Sequence, residues 1–236
     1  MGFVHKKMRM LFPIGDDNIK GGYFPVFSYG LIAANVLVFI WQIRLGEYQE
    51  AALYHFGAIP REIVYGRDVY TLFTSIFLHG GLGHLFGNML FLWIFADNIE
   101  ARIGNGRFIV FYVLAGLMAH AVHIYFNLNS SIPTIGASGA ISGVMGAYLV
   151  MFPSSRVRVL FFLFPFYIPA FLFLGVWIYM QVESGMGILQ HTAAEDGVAY
   201  WAHIGGFVFG VLAGLAFRSL RREAVEGRMV SSDFVE

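Results

Sequence analysis

Ile135-Gly136-Ala137-Ser138-Gly139-Ala140-Ile141-Ser142-Gly143-Val144-Met145-Gly146 lies within a run from Phe108 to Ser155 that contains no Asp, Glu, Lys or Arg. Such a run belongs in a lipid bilayer, where a spanning helix needs about 20 mostly apolar residues. Ser138, flanked by small residues, opens one of these helices. A hydroxyl in that position raises a chemical question: whether the rest of the chain supplies a base, an oxyanion site and water.

The composition agrees with a membrane environment. Of the 236 residues, 58% are hydrophobic and 13% charged, against about 25% charged in soluble domains. A net charge of zero gives no basic face for nucleic acid. The absence of cysteine excludes disulfide frameworks, thiol catalysis and cysteine-based metal sites. Residues 1–22 are polar and basic and lack the apolar core and cleavage site of a signal peptide. Met1-Gly2 begins like a myristoylation signal, but Lys6 stands where Ser or Thr is needed.

Six apolar segments are predicted to be membrane helices: Val26 to Ile43, Gly83 to Ala96, Phe108 to Phe126, Ile135 to Phe152, Val159 to Gln181 and Ala199 to Phe217. The fifth contains Pro165 and Pro169, which are expected to kink it. The period-2 alternation that a barrel needs is read as absent, so all six are taken as helices. The prediction is an all-α polytopic membrane protein. Its N-terminal tail is 1–25, its six-helix domain 26–218 and its C-terminal tail 219–236. With both termini in the cytoplasm, 12 of the 15 Lys and Arg residues fall inside and only Arg44, Arg61 and Arg67 outside.

Intramembrane polar groups are costly and point to function. In the charge-derived topology, segments two, four and six run from outside to inside. His84 and Asn88, Ser138, and His203 lie near the starts of these segments, at one depth in the outer half. From Ser138 to Phe152 the helix rises roughly 22 Å, within a hydrocarbon layer of about 30 Å. A serine needs a base to act as nucleophile at neutral pH, and His203 suits that role. Gly206, Gly210 and Gly214 in segment six and Gly139, Gly143 and Gly146 in segment four form small faces that let two helices approach closely. The Ser138 amide and the side chains of Asn88 and His84 are candidate donors to a developing oxyanion.

Gly136-Ala137-Ser138-Gly139, Ala202-His203-Ile204-Gly205-Gly206 and His79-x4-His84-x3-Asn88, with Glu100-x-Arg102 and Gly104, together resemble the rhomboid family of intramembrane serine proteases. The similarity extends from about Tyr70 to Phe217. It implies a six-helix bundle around a short central serine helix. It further implies Ser138 as nucleophile, His203 as general base, and His84, Asn88 and the Ser138 amide as oxyanion donors. His79 becomes a structural residue of the first outer loop, segment five part of a lateral gate, and the loop before segment six a cap. Implied substrates are single-span membrane proteins cut in or near the outer part of the span, with no cofactor or metal. Two positions depart from the pattern. Ser142 stands where many members carry an aromatic residue packing on the histidine, and Tyr70-Thr71 stand where some have Trp-Arg.

Other readings compete. Ser138 among glycines is also a packing residue, and His203 or Asn88 alone is also a bundle hydrogen bonder. His79, His84, His120, His123 and His203 in one outer half suggest a metal site or transporter, against which stand the missing His-Glu-x-x-His motif and the lack of carboxylates among them. Asp97, Glu100 and Arg102 read as an inner-interface charge cluster remote from the serine. Glu195 and Asp196 read as a solvated outer loop. A non-catalytic client-binding relative is expected to lack the serine or the histidine, and a carrier to show inverted repeats. The short six-segment form suits a bacterial plasma membrane with the site facing the extracytoplasmic side.

Overall fold

A computed structural model describes residues 12–17, 24–162, 164–190 and 198–232. Lys6, Lys7, Arg9, Lys20, Glu195, Asp196 and most of the expected cap before the last helix lie outside them. Strand β1 (Phe12–Asp16) is followed by helix α1 (Val26–Arg44) and the short helices α2 (Gln49–Phe56), α3 (Pro60–Val64) and α4 (Thr71–Thr74). Then come α5 (Leu82–Ile103), α6 (Asn105–Phe126) and α7 (Ser138–Met151), strands β2 (Arg156–Phe161) and β3 (Phe164–Pro169), and helices α8 (Ala170–Gln190) and α9 (Tyr200–Ser232).

The six longer helices fall one to each apolar segment, the fifth segment being helical only from Ala170 onward. By length and hydropathy, Val26–Arg44, Asn105–Phe126 and Tyr200–Ser219 are sufficient to cross a membrane, while Ser138–Met151 is a shorter apolar helix. Their outward faces carry exposed Leu37, Val110, Leu114, Val208 and Leu212, a surface suited to lipid rather than water. The turn between α5 and α6 rests on Gly104, whose φ of 85° is strained for any residue with a Cβ.

α7 is the central helix, with every residue from Gly139 to Tyr148 buried. Lipid gives helices no hydrophobic reason to associate, so close packing must hold them. On α9, Gly206 and Gly210 lie directly against the backbone of Gly139 and Gly143, and a Cβ at Gly214 would sit 3.0 Å from Ala147 Cα. Gly139 meets Ala119 of α6 on its other side. α1 is tied to α5 by the buried Glu100, whose carboxylate accepts from the Phe27 and Ser28 amides (2.9 and 2.7 Å) and the Ser28 hydroxyl (2.7 Å). These amides belong to the first turn of α1, where N–H groups lack helical partners and the helix dipole favours an anion.

The structure corrects the all-α expectation and the fifth segment. Residues 156–169 form a hairpin instead of a helix, and α8 starts only after Pro169. β2 is the central strand, antiparallel to both β1 and β3. Pro165 and Pro169 do not kink a helix; they sit on β3, an edge strand, where a missing N–H is tolerated. The sequence does contain a period-2 signal here. Val157 and Val159 are completely buried while Arg156 and Arg158 are exposed, and fully burying a valine stabilises by about 1.5–3 kcal/mol.

β1 lies within the stretch read as a tail and clasps two helices. Asp16 accepts hydrogen bonds from the Tyr148 hydroxyl of α7 and from Asn98 Nδ2 of α5 (2.7 Å). Burial, with the Asp97 charge a smaller contributor, pushes the Asp16 carboxyl up to about 7, against the lowering effect of its hydrogen bonds. The adjacent Asp17 is exposed and pairs with Arg156 (2.9 Å), which holds its carboxyl below the usual range.

Candidate active site

The loop before α7 is fixed from two sides. Ala58 and Thr134 exchange backbone hydrogen bonds of 3.0 and 2.8 Å, and the Gly136 amide donates to the Ser75 carbonyl at 2.9 Å. Gly136 has φ 116°. A Cβ there would lie 2.8 Å from His84 Nε2 and 3.5 Å from Asn88 Nδ2. Glycine at 136 therefore allows both the backbone angle and the approach of α5's polar face to the serine.

Ser138 is the first residue of α7, and His203 lies in the first turn of α9. Their side chains meet, with Ser138 Oγ 2.8 Å from His203 Nε2. The small-residue contact between α7 and α9 permits this distance. The first amides of a helix have no intrahelical carbonyl, and the Ser138 N–H is one of them. Asn88 Nδ2 is buried and has no protein hydrogen-bond partner among the described residues. His84 Nδ1 accepts from the Gly80 amide at 3.3 Å, which in a neutral ring puts the proton on Nε2, the atom facing Gly136. Ser138, His203, Asn88, His84, Ser142 and Trp177 line one cavity of about 730 Å³.

His79 lies behind this site. It is fully buried, its backbone exchanges two 3.1 Å hydrogen bonds with the Gln42 side chain of α1, and its ring stands 5.0 Å from that of His84. Tyr70 and Thr71 hold the first loop by their hydroxyls, on the carbonyls of His55 (3.0 Å) and Asp68 (2.7 Å). His120 is paired with Ser75 Oγ at 3.0 Å, whereas His123 lines the cavity. Among the described residues, no three His, Asp or Glu side chains come together as a metal-ligand set.

With Ser142 in the place of an aromatic residue, the His203 ring needs support from elsewhere. Ser142 gives none, because its hydroxyl donates to the Ser138 carbonyl one turn back (2.6 Å). Both contacts come from α8: Gln181 Oε1 lies 2.7 Å from His203 Nδ1, and the Trp177 ring is centred 5.9 Å from the imidazole. Neither residue was singled out from sequence. The available signal was an amide side chain in an apolar helix, four residues after a tryptophan and so on the same face.

Comparison with known proteins identifies the family. A family model described as a Rhomboid domain matches residues 66–220. Rhomboid protease GluP of Bacillus subtilis (strain 168) is 30% identical over 209 residues, covering 88% of this chain and 38% of that protein. The mitochondrial presenilin-associated rhomboid-like protein of Mus musculus is 30% identical over 193 residues, 77% of this chain and 46% of the relative. Rhomboid protein 1, mitochondrial, of Saccharomyces cerevisiae is 27% identical over 192 residues, 79% and 51% respectively. The chain thus spans from under two-fifths to about half of the length of these relatives. It belongs to the rhomboid family and is an integral membrane protein.

Proposed function

We propose that the protein is an intramembrane serine endopeptidase that cleaves single-span membrane proteins in or near the outer part of their spans. The observation that carries this reading is the 2.8 Å contact between Ser138 Oγ and His203 Nε2, beside donors from α5 and the α7 N-terminus. Ser138 Oγ attacks the scissile carbonyl carbon while its proton passes to His203 Nε2. The carbonyl oxygen becomes an oxyanion held by the Ser138 amide, Asn88 Nδ2 and His84 Nε2–H. Collapse expels the amine, which takes the proton from His203. Water, deprotonated in turn by His203, then releases the acyl group from Ser138.

All six long helices cross the bilayer in this reading, with both termini and the sheet on the cytoplasmic side. The cavity then opens to the opposite face, as the distribution of Lys and Arg favours. The relatives include a bacterial protease and mitochondrial rhomboid proteins. The test is reconstitution in vesicles with a model single-span substrate. Wild-type protein is expected to cut it, and Ser138→Ala and His203→Ala each to lose on the order of 10⁶ in rate. Undiminished cleavage by both variants would overturn the assignment and leave a membrane protein that binds clients without cutting them.

A further inference from the structure

We propose that Gln181 is a positioning residue for the dyad: by accepting a hydrogen bond from His203 Nδ1–H, it fixes the tautomer and ring orientation in which Nε2 faces Ser138. The proposal rests on the reading of Ser138 and His203 given above. Its geometry runs in one line across three helices. Ser138 Oγ on α7 is 2.8 Å from His203 Nε2 on α9, and His203 Nδ1 is 2.7 Å from Gln181 Oε1 on α8. Gln181 is buried, so water does not readily replace it.

The orientation of the Gln181 amide follows from its other contact. Gln181 Nε2 donates to the Trp177 carbonyl at 3.4 Å, one turn back on α8. With the NH₂ group engaged there, Oε1 is left to face the imidazole. An amide oxygen is an acceptor only, so the ring nitrogen opposite it must carry the proton. Nδ1–H leaves Nε2 with its lone pair toward the Ser138 hydroxyl, as a general base requires.

During the reaction the Ser138 proton moves to Nε2 and the ring becomes an imidazolium with N–H on both nitrogens. Gln181 Oε1 keeps its hydrogen bond to Nδ1–H, which strengthens as the ring gains charge. No proton passes to the amide. Gln181 thus does by dipole what a carboxylate does by full charge in soluble triads. Trp177 and Gln181 share one face of α8 and both touch His203. An outward displacement of α8 would carry away both restraints on the imidazole.

The experiment compares cleavage of a reconstituted single-span substrate by wild type, Gln181→Met and Gln181→Glu, with Ser138→Ala alongside. Methionine keeps length and volume but accepts no comparable hydrogen bond, and glutamate keeps the acceptor and adds charge. The titratable groups facing His203 are His84 of α5, His123 of α6 and Tyr200 of α9, and none is altered. Gln181→Met is expected to lower kcat about ten- to a hundredfold, the worth of one hydrogen bond to a charged group, with KM changed little. Gln181→Glu is expected to retain kcat within a few fold and move the acidic limb of the kcat/KM profile up by about one pH unit or more, since an adjacent carboxylate favours the imidazolium. Wild-type kcat in Gln181→Met, or an acidic limb unmoved in Gln181→Glu, overturns the proposal. If the Met variant does not fold, the limb of the Glu variant decides. Cleavage by Ser138→Ala equal to wild type would instead remove the dyad reading itself, an outcome distinct from failure at Gln181.

Discussion

At one end of α7, Ser138 and His203 face a cavity of about 730 Å³. Ten residues further along the same helix, the Tyr148 hydroxyl is closed against Asp16. Both ends place polar groups inside a helix bundle, but their hydrogen-bond inventories differ. At the site end, Asn88 Nδ2 is buried without a protein partner. At the sheet end, Asp16 takes both Tyr148 and Asn98, and Glu100 takes two amides and a hydroxyl of α1. A buried donor held unpaired costs about 1–3 kcal/mol, so it persists where another group, a reacting oxygen in this reading, is to meet it. Saturated groups such as Asp16 and Glu100 hold helices together; Asn88 Nδ2, unpaired and beside the cavity, is available for chemistry.

That contrast is broken or sharpened by treating the two ends alike. The largest effect is expected at Asn88. Asn88→Ala should lower kcat by about 10²–10³, the cost of losing one oxyanion donor, while the thermal midpoint in detergent stays near wild type because no protein hydrogen bond is lost. An equal loss of stability would mean that Asn88 is a structural residue and that the two ends do not differ in kind.

Tyr148→Phe should behave in the opposite way. It removes the hydroxyl on Asp16 and is expected to lower stability by about 1–3 kcal/mol, with cleavage by the folded fraction changed less than a few fold. A hundredfold loss of kcat at unchanged stability would show that the sheet end sets the geometry of the site.

The smallest expected effect is on pH dependence. Folding raises the Asp16 carboxyl from 3.8 to about 7 through burial. Between those values the folded protein holds a proton that the unfolded chain has released, so Asp16 makes stability fall as pH rises from about 4 to about 7, and level off above. Asp17, held low by Arg156, acts with the other sign: its contribution is present above 3.8 and fades as pH falls through its lowered value. Thermal unfolding at pH 5 and pH 8 should therefore show wild type relatively favoured at pH 5, and Asp16→Asn should reduce that difference. An unchanged difference would remove Asp16 as its source.

Much of the fold was legible because lipid imposes a simple rule on the chain. Backbone groups must pair within a segment, so charge-free runs give the helices to within a few residues, as with Val26–Arg44 and Asn105–Phe126. The exception is instructive. At 156–169 the apolar, phenylalanine-rich composition hid an Arg-Val-Arg-Val alternation and two prolines that a helix interior does not accept. A strand depends on its neighbours, and one neighbour here is β1, with Asp17 paired to Arg156 across 139 residues of chain.

The site divides in the same way. Ser138, His203, His84 and Asn88 stand out by themselves, because a polar or ionisable side chain in an apolar segment is costly wherever its partner lies. Sequence order and the expected topology brought them to one depth, and the structure adds the distances. The support of His203 was not legible. Gln181 lies 22 residues away on another helix, and its contact depends on how α8 rotates and docks against α9. The sequence by itself determined which chemistry-bearing side chains the chain carries and in what order. Only the tertiary structure decided that the imidazole is held by Gln181 and Trp177 of α8 rather than from α7, because the choice among facing side chains is made by helix packing, which no local pattern encodes.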